Sequence, residues 1–273
     1  MDKGNAAVAS TGLLVAAIRA NESAREDRLF TDPYADRLAG ETGKAILAAA
    51  VAEAGEQSTV QIVVRTRFLD DALLRAADAA GQVVILAAGM DARAYRLSWP
   101  DGTTVYEIDQ VAVIDAKADV LVDDQPRCLR VAIGVDLADD WPAELTAAGF
   151  DPREPAVWLI EGLLQYLDKG AVRTLFDRVN ALSAPNSTVL YDIVGKSLLE
   201  SPAMAPLLNK MAAQGSPWRF GTDEPGELAE RHGWSTTVTD IAEQGNRLNR
   251  WFAPAVPMGV PGVPRGYFVE ARK

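Results

Sequence analysis

The chain has 273 residues, enough for one large hydrophobic core or for two small domains. Apolar residues make up 48% of the chain and charged residues 24%, which is typical of a soluble globular protein. The net charge of −11 argues against nucleic-acid binding, because a surface for the phosphate backbone needs clustered Lys and Arg.

Two residue types occur only once, and this excludes several kinds of site. Cys128 is the only cysteine, so the chain has no disulfide framework and no multi-cysteine metal centre. His232 is the only histidine, so a His-rich metal site is excluded, and we interpret His232 as structural. No apolar run approaches the roughly 18 residues of a membrane span, and no signal-peptide pattern is present. We therefore expect a cytoplasmic protein that binds neither metal nor membrane.

The first part of the chain predicts helices. Residues 1–12 are small and polar, which predicts a frayed start, and Leu13–Ala20 fits a short helix. Gly43–Ala54 and Thr59–Ala80 carry apolar residues at helical spacing. The second of these two helices leads directly into an apolar run.

Further along the chain, short apolar runs alternate with helical patterns, and a helix and a loop are predicted between residues 196 and 231. The predicted strands are Val83–Leu86, Thr104–Ile108, Leu129–Val135, Ala156–Ile160, Ser187–Val194, Trp234–Thr239 and Gly266–Ala271. The predicted helices between them are Val111–Leu121, Trp141–Ala148 and Lys169–Ser183. This alternation predicts an α/β fold with a doubly wound, mostly parallel sheet in one domain.

The stretch from Val83 to Gln110 has the layout of a ribose-binding unit. A strand is followed by the small residues Ala87-Ala88-Gly89, a helix-like piece and a second strand that ends on Asp109. A carboxylate at the carboxyl end of a strand offers the two ribose hydroxyls a rigid acceptor. Asp109 is therefore the first candidate for ligand binding.

Two more predicted strands end on acids. Asp136 follows the third strand and Glu161 the fourth. Ligands of open α/β sheets bind at the carboxyl ends of strands, and adjacent ends lie about 5 Å apart, so these acids and Asp109 would face one elongated ligand. The alternative is that strand-end acids are helix N-caps or solvated loop residues.

The turn after the first strand indicates which cofactor is bound. A dinucleotide fold has G-x-G-x-x-G here, so that pyrophosphate sits on a helix N-terminus. This chain has Ala87-Ala88-Gly89-Met90-Asp91-Ala92, in which only the middle glycine remains and Asp91 adds negative charge. The turn therefore disfavours pyrophosphate and favours S-adenosylmethionine, which carries a sulfonium and an amino acid tail. Arg65, on the helix before the strand, is our candidate for its carboxylate, with a solvated helix charge as the alternative.

Longer motifs make the assignment more specific. They are RANESAREDRLFTDPYADRLAG, VVRTRFLDDAL, VVILAAGMDARAYRLSWPDGTTVYEIDQ, VDLADDW, WLIEGLLQYLD and RFGTDEPGELAERHGW. With these motifs the chain resembles the leucine carboxyl methyltransferase family over nearly its whole length. It is most similar to the bacterial branch of S-adenosylmethionine-dependent methyltransferases.

The resemblance implies a Rossmann-like class I methyltransferase with a seven-stranded sheet. It implies a helical cover over residues 1–58, a cofactor-binding core over 59–195, a substrate-side insertion over 196–232 and C-terminal strands over 233–273.

The resemblance also implies roles for individual residues. Arg65 would meet the methionine carboxylate, and Glu161 would lie near the methionine amino group. Asp109 would hold the ribose, while Asp136 and Leu137 would frame the adenine. The full set that we expect to bind the cofactor is Arg65, Ala87, Gly89, Asp109, Gln110, Asp136, Leu137 and Glu161.

Two positions depart from the pattern of the wider family. That family usually has glycine at the place of Ala87, so the methyl group of Ala87 is expected to crowd the cofactor. It often has arginine at the place of Ala138, where eukaryotic relatives bind a substrate carboxylate. Alanine there puts methylation of a peptide C-terminus in doubt.

The acceptor side is less marked in the sequence. Tyr166 lies just past the fourth strand, and Trp218 and Phe220 lie in the insertion, so these three are candidates for binding the acceptor. Ordinary core packing is the alternative for each, and no catalytic base is assigned.

Three functions agree with these patterns. The first is O-methylation of a carboxylate or hydroxyl on a small, hydrophobic acceptor, in a cytoplasmic enzyme of secondary metabolism. The second is a cofactor-binding protein with weak or no catalysis, and the third is a nucleotide-linked oxidoreductase, which the Asp91 turn disfavours. The oligomeric state is not predicted.

Overall fold

The computed structural model describes residues 3–273, with side chains from residue 10 onward. The strands are β1 (Gln82–Leu86), β2 (Thr104–Asp109), β3 (Leu129–Gly134), β4 (Ala156–Ile160), β5 (Thr188–Val194), β6 (Ser235–Asp240) and β7 (Gly266–Arg272). The helices are α1 (Lys3–Ser23), α2 (Ala35–Ala54), α3 (Val60–Ala77), α4 (Arg93–Arg96), α5 (Val111–Val120), α6 (Trp141–Ala147), α7 (Lys169–Ala181), α8 (Lys196–Leu199), α9 (Ala205–Ala213), α10 (Glu227–Glu230) and α11 (Ile241–Arg247). Single 3-10 turns lie at Glu56–Thr59 and Leu164–Tyr166.

All the strands form one seven-stranded sheet in the order β3-β2-β1-β4-β5-β7-β6. The first five strands pair in parallel, and β7 runs antiparallel to both β5 and β6. The prediction of a mostly parallel, seven-stranded α/β sheet is therefore confirmed. The strand order reverses between β1 and β4, which is where a sheet of this kind opens a crevice for ligands.

Side chains of the central strands alternate between two hydrophobic layers. Val83 and Ile85 of β1 pack on the side of α3, α4 and the N-terminal helices, whereas Val84 and Leu86 pack on the side of α6 and α7. Every residue of β4 is buried. Central parallel strands are covered on both faces, which is why these strands read as continuous apolar runs in the sequence.

The N-terminal helices pack closely on each other and on the first layer. A Cβ atom at Gly43 of α2 would lie 2.5 Å from the carbonyl oxygen of Leu13 in α1, so the two helices approach at a residue without a side chain. Gly40 interrupts α2 with φ 55° and ψ −172°, and the predicted helix Gly43–Ala54 is the segment after this kink. The predicted frayed start is wrong from Lys3 onward, since α1 begins there; residues 1 and 2 lie outside the described residues.

The C-terminal third contains more helix than predicted. The region 196–231 holds α8, α9 and α10 in place of one helix and a loop, and α11 was not predicted at all. In α11 only Ile241 and Gly245 are buried, so the helix has little periodic apolar signal. Its start is set by Asp240, whose side chain accepts hydrogen bonds from the amides of Ala242 and Glu243, at 2.7 and 3.1 Å.

Within residues 3–273, none of the helices combines the length and the apolar character that crossing a membrane requires.

Candidate functional site

A cavity of about 880 Å³ opens over the carboxyl ends of the central strands. The segments that follow β1, β2, β3 and β4 form its floor, and α1, α3 and α9 contribute side chains from the other side. The cavity thus lies at the reversal of strand order and beneath the N-terminal helices. Its volume is in the range of small-molecule binding sites.

The turn after β1 is held against β2 by hydrogen bonds. The Ala88 amide donates to the Ile108 carbonyl at 3.1 Å, and the Gly89 amide donates to Asp109 Oδ2 at 2.6 Å. Ala87 has φ 54° and Gly89 has φ 49°, both in the left-handed region that favours glycine. Only one of the two is glycine, so Ala87 carries backbone strain at the wall of the cavity.

The Asp109 carboxylate lies at the centre of this arrangement. Its other oxygen, Oδ1, accepts the Gln110 amide at 2.7 Å. Burial raises the pKa of Asp109, and the Gly89 and Gln110 amides oppose that shift. A carboxylate oxygen accepts more than one hydrogen bond, so both oxygens can still bind ligand hydroxyls.

The loop after β3 forms one end of the cavity. Asp136 Oδ1 accepts the Ala138 amide at 2.9 Å, and Gln110 Nε2 donates to Asp136 Oδ2 at 3.2 Å. Asp109, Asp136 and Glu161 all line the one cavity. That they face one elongated ligand stays a prediction.

Arg178 of α7 fixes the same loop from outside, and sequence reasoning did not single it out. Its Nη1 donates to the carbonyl oxygens of Leu137 at 3.1 Å and Asp139 at 2.8 Å. The sequence carried no signal for this contact, because Arg178 lies 41 residues from Leu137 and 39 residues from Asp139 in the chain.

Arg65 of α3 lies between two carboxylates. Its Nε is 2.8 Å from Glu161 Oε1, and its Nη1 donates to Asp192 Oδ2 at 3.2 Å. Asp192 Oδ1 also accepts the Gly162 amide at 2.6 Å. Asp192 was missed by the sequence reading, although an acid near the carboxyl end of the otherwise apolar β5 was a usable signal.

Glu161 contacts a second guanidinium as well. Arg93 Nη1 donates to Glu161 Oε2 at 2.7 Å, and Arg93 Nε donates to Asp70 Oδ1 at 2.7 Å. Burial acts to raise the pKa of Glu161, but Arg93 and Arg65 outweigh it and the net shift is downward. Burial also raises the pKa of Asp192, and the neighbouring Glu161 charge adds to this shift; Arg65 and the Gly162 amide oppose it, and the pKa stays raised.

The reasoning from Asp91 needs correction. The sequence suggested a free negative charge that repels phosphate, but the Asp91 carboxylate is paired with the Arg93 guanidinium. Burial acts to raise the Asp91 pKa, yet Arg93 and Lys117 lower it to about 2. Since the charge is compensated by its neighbours, the case against pyrophosphate depends on the missing glycines and not on this acid.

The predicted acceptor residues do not all reach the cavity. Tyr166 and Trp218 line it, whereas Phe220 packs against the hydrophobic layer on the α7 side of the sheet. The Arg219 and Phe220 amides both donate to the Gln165 carbonyl, at 2.6 and 3.4 Å. Phe220 does not line the cavity that Tyr166 and Trp218 line, so its predicted contact with an acceptor there is not supported.

The sequence argued against a metal site and against a functional role for His232, and the structure adds one observation on each. His232 lies outside the cavity, with Nε2 at 3.4 Å from Asp177 Oδ1. Across the described part of the chain, no group of three or more His, Cys, Asp and Glu side chains is arranged to hold a metal ion.

Comparison with known proteins agrees with this architecture. The sequence model of a family described as leucine carboxyl methyltransferase matches residues 12–180. A protein of Mycobacteroides abscessus named "Putative S-adenosyl-L-methionine-dependent methyltransferase" is 40% identical over 281 residues, which is 92% of this chain and 92% of that protein. A protein of Parafrankia sp. with the same description is 37% identical over 286 residues, covering 100% of this chain and 89% of its own length.

Solved structures share the fold. A crystal structure described as a "putative methyltransferase" from Thermobifida fusca YX has a TM-score of 0.62 to this chain, covers 92% of it and 96% of its own chain, and is 19% identical. At that identity the likeness concerns the fold alone.

The left-handed backbone of Ala87 predicts that a glycine there stabilises the protein. Ala87→Gly removes a strain of about 1–2 kcal/mol, while the added freedom of the unfolded chain costs about 0.5–1 kcal/mol. We expect a gain of up to about 1 kcal/mol in the free energy of unfolding, measured by urea denaturation. Ala88→Gly is the matched control, because Ala88 is buried and has no positive φ, and it should lose stability. Equal losses in both variants would contradict the strain at Ala87.

The paired state of Asp91 predicts a pH-dependent contribution to stability. Its pKa of about 2 lies below the ordinary 3.8, so the ionised form stabilises the fold fully above about pH 4 and loses this effect as the pH falls towards 2. Asp91→Asn should lower the free energy of unfolding by about 2 kcal/mol at pH 7 and flatten its change between pH 4 and 3.

The control is Asp151→Asn. The pKa of Asp151 is also lowered to about 2, by the side chain of Arg153, but that pair lies on the surface. Solvent and salt screen such a pair, so little change is expected. If Asp91→Asn and Asp151→Asn lose equal free energy of unfolding in urea titrations, the buried pair of Asp91 and Arg93 stabilises the fold no more than the surface pair does.

Proposed function

The chain belongs to the leucine carboxyl methyltransferase family, and we propose that it transfers a methyl group to a carboxylate or hydroxyl oxygen of a small, hydrophobic acceptor. That it is a methyltransferase and that its methyl donor is S-adenosylmethionine follow from the family and from relatives 40% identical over 92% of the chain. The observation that supports the finer proposal is the apolar half of the cavity, between α1, α3 and α9.

The chemistry of the floor suits this cofactor. We assign the ribose hydroxyls to Asp109, whose oxygens keep acceptor capacity beside the Gly89 amide. The adenine is assigned to the loop of Asp136 and Leu137, where a carboxylate lies beside an apolar side chain. This loop is closed at one side by the Gln110 amide side chain.

The amino acid tail is assigned to the charged residues at the ends of β4 and β5. Glu161 stays ionised between two guanidinium groups. We therefore assign the ammonium group of the methionine tail to the neighbourhood of Glu161. Arg65 uses Nε and Nη1 for Glu161 and Asp192, while Nη2 donates to no described residue. We assign the methionine carboxylate to that nitrogen.

The residues above the floor provide the acceptor space. Leu14 and Val15 of α1, Ile62 of α3 and Leu207 and Met211 of α9 line this part of the cavity. Apolar walls of this kind bind a hydrophobic body and exclude water from a reacting centre.

Catalysis in this cavity depends mainly on alignment. The cofactor, when bound, would supply a methyl group that is activated by its positively charged sulfur. An acceptor oxygen would attack the methyl carbon in line with the carbon–sulfur bond, and the sulfur would leave. The protein binds both partners in one enclosed space, and holding reactants in an aligned geometry contributes several kcal/mol to the rate. A carboxylate acceptor reacts without a base, whereas a hydroxyl must lose its proton.

A cofactor-binding protein with weak catalysis is the second candidate. Ala87 favours it, because its strained backbone places a methyl group in the wall of the cavity where the wider family has glycine. Nucleotide-linked oxidoreduction is the third candidate and has no such observation in its favour.

Release of S-adenosylhomocysteine separates these candidates. The protein is incubated with S-adenosylmethionine and a panel of hydrophobic phenols, alcohols and carboxylic acids. Transfer to any of these oxygens supports the proposal. Tight binding of the methyl donor in calorimetry, without release from any panel member, favours the second candidate. Binding of NAD in preference to S-adenosylmethionine would sink the methyl-transfer proposal.

The assignment of Asp109 predicts a specific loss of affinity. Asp109→Asn removes a charged hydrogen-bond acceptor, an interaction of about 1.5–3 kcal/mol, so calorimetry should show S-adenosylhomocysteine binding about 10–100-fold weaker. Asp101→Asn, in the exposed turn before β2, is the matched control and should bind normally. Unchanged affinity in Asp109→Asn would remove Asp109 from the site.

A further inference from the structure

The charges that line the cavity are already engaged within the described part of the chain. Each cationic side chain of the lining has a carboxylate or a backbone carbonyl as its partner. The pairs are Arg19 with Asp32, Arg65 with Glu161 and Asp192, Arg93 with Asp91 and Glu161, Arg96 with Asp70, Arg178 with Leu137 and Asp139, and Lys210 with Glu53.

Three of these cations could still meet an anion, and none of them suits an acceptor carboxylate. Arg178 has only backbone carbonyls as partners, and these belong to the loop that the proposed function assigns to the adenine. Arg65 keeps one free nitrogen, which the proposed function uses for the methionine carboxylate. Lys210 and Glu53 join α9 to α2, with side chains 45% and 60% exposed. An exposed pair of this kind binds a further anion only weakly, because solvent screens it.

Among the described residues of the lining, two buried and neutral side-chain atoms have no hydrogen-bond partner. Gln165 is 5% exposed and its Oε1 accepts no hydrogen bond, while the Nε1 of Trp218 is buried and donates none. Both residues line the cavity, and the 2.6 Å hydrogen bond from the Arg219 amide to the Gln165 carbonyl joins the two segments that carry them. Buried polar atoms without partners are costly, so atoms of this kind at a cavity mark a place where a ligand completes the bonding.

Two other tryptophans have an indole N–H without a partner but do not indicate a ligand site. Trp141 and Trp158 also have buried Nε1 atoms without a partner. They pack on each other in the core, with ring centroids 6.2 Å apart, and do not line the cavity.

We propose that Gln165 and Trp218 form a neutral hydrogen-bonding subsite that selects a hydroxyl-bearing acceptor, a phenol or an alcohol, over a carboxylate. A hydroxyl oxygen accepts the Trp218 N–H while its hydrogen bonds to Gln165 Oε1, so one group satisfies both atoms. A carboxylate has no proton for Gln165 Oε1 and brings a charge into a cavity without a free cation for it. The inference rests on the proposed function and refines its acceptor.

The reaction that follows is balanced. The hydroxyl oxygen forms a bond to the methyl carbon, the carbon–sulfur bond breaks, and its electron pair stays on sulfur. The products are a methyl ether and S-adenosylhomocysteine. The hydroxyl proton leaves to water, since neither Gln165 nor Trp218 takes up a proton at neutral pH.

Matched acceptor pairs test this subsite. The pairs are 4-butylphenol with 4-butylbenzoate, 2-naphthol with 2-naphthoate, and 1-decanol with decanoate, each with saturating S-adenosylmethionine. We expect transfer to hydroxyl members, with kcat/KM at least about tenfold higher than for the matched carboxylates. Gln165→Leu and Trp218→Phe should each lower kcat/KM for the hydroxyl acceptors about tenfold, a loss typical of leaving a polar partner unpaired. Their affinity for S-adenosylhomocysteine should change less than twofold.

Trp251→Phe is the matched control, because Trp251 stacks on Phe252 outside the cavity and its variant should behave as wild type. Carboxylates transferred as fast as hydroxyls would overturn the subsite and leave oxygen methylation in place. A hydroxyl preference that survives both cavity variants would overturn the roles of Gln165 and Trp218. Bound cofactor without transfer to either member of any pair would overturn this inference and the proposed function together.

Discussion

A continuous chain of buried ion pairs holds the site together. It runs from Asp70 to Arg93, Glu161, Arg65 and Asp192, and it joins α3, α4 and the ends of β4 and β5. A single buried charge is costly. Removal of one side chain of this chain of ion pairs leaves its partner as an unpaired buried charge, which typically lowers the free energy of unfolding by about 3–5 kcal/mol. The ion pairs therefore hold these helices and strands in a fixed arrangement, and the floor of the cavity, which they form, is held in place with them.

This ion chain decides which groups are available to a ligand. Arg65 is oriented by two carboxylates before any ligand arrives, so it offers a fixed donor and loses little freedom on binding. Burial acts to raise the pKa of both Glu161 and Asp192. Two guanidinium groups outweigh it at Glu161, whereas one guanidinium and the Gly162 amide do not outweigh burial and the Glu161 charge at Asp192. The two neighbouring carboxylates therefore have pKa values shifted in opposite directions.

The sequence predicted those parts of the molecule that local spacing encodes. The apolar runs of β1 and β4 identified the buried centre of the sheet, and the distance from the turn to the second strand pointed to Asp109. Asp192 and Arg178 escaped notice because each acts through a partner far away in the chain. Asp91 was read as a free charge although its partner Arg93 is only two residues away, because spacing alone does not show which side chains pair in the folded protein. Phe220 was assigned to the acceptor from its position in the insertion, which does not show that it packs against the hydrophobic layer on the α7 side.

Charge balance then connects the floor of the cavity to its upper half. The ion chain leaves one nitrogen of Arg65 free, and the proposed function assigns that nitrogen to the tail of the cofactor, so the ion chain has no donor left for a second anion. The exposed pair of Lys210 and Glu53 lies between α9 and α2 and is screened by solvent. If the proposed function holds, an acceptor between α1 and α9 would be bound by apolar contact and by neutral hydrogen bonds. The paired arginines that hold the floor in place would then also restrict the chemistry of the molecule bound above it.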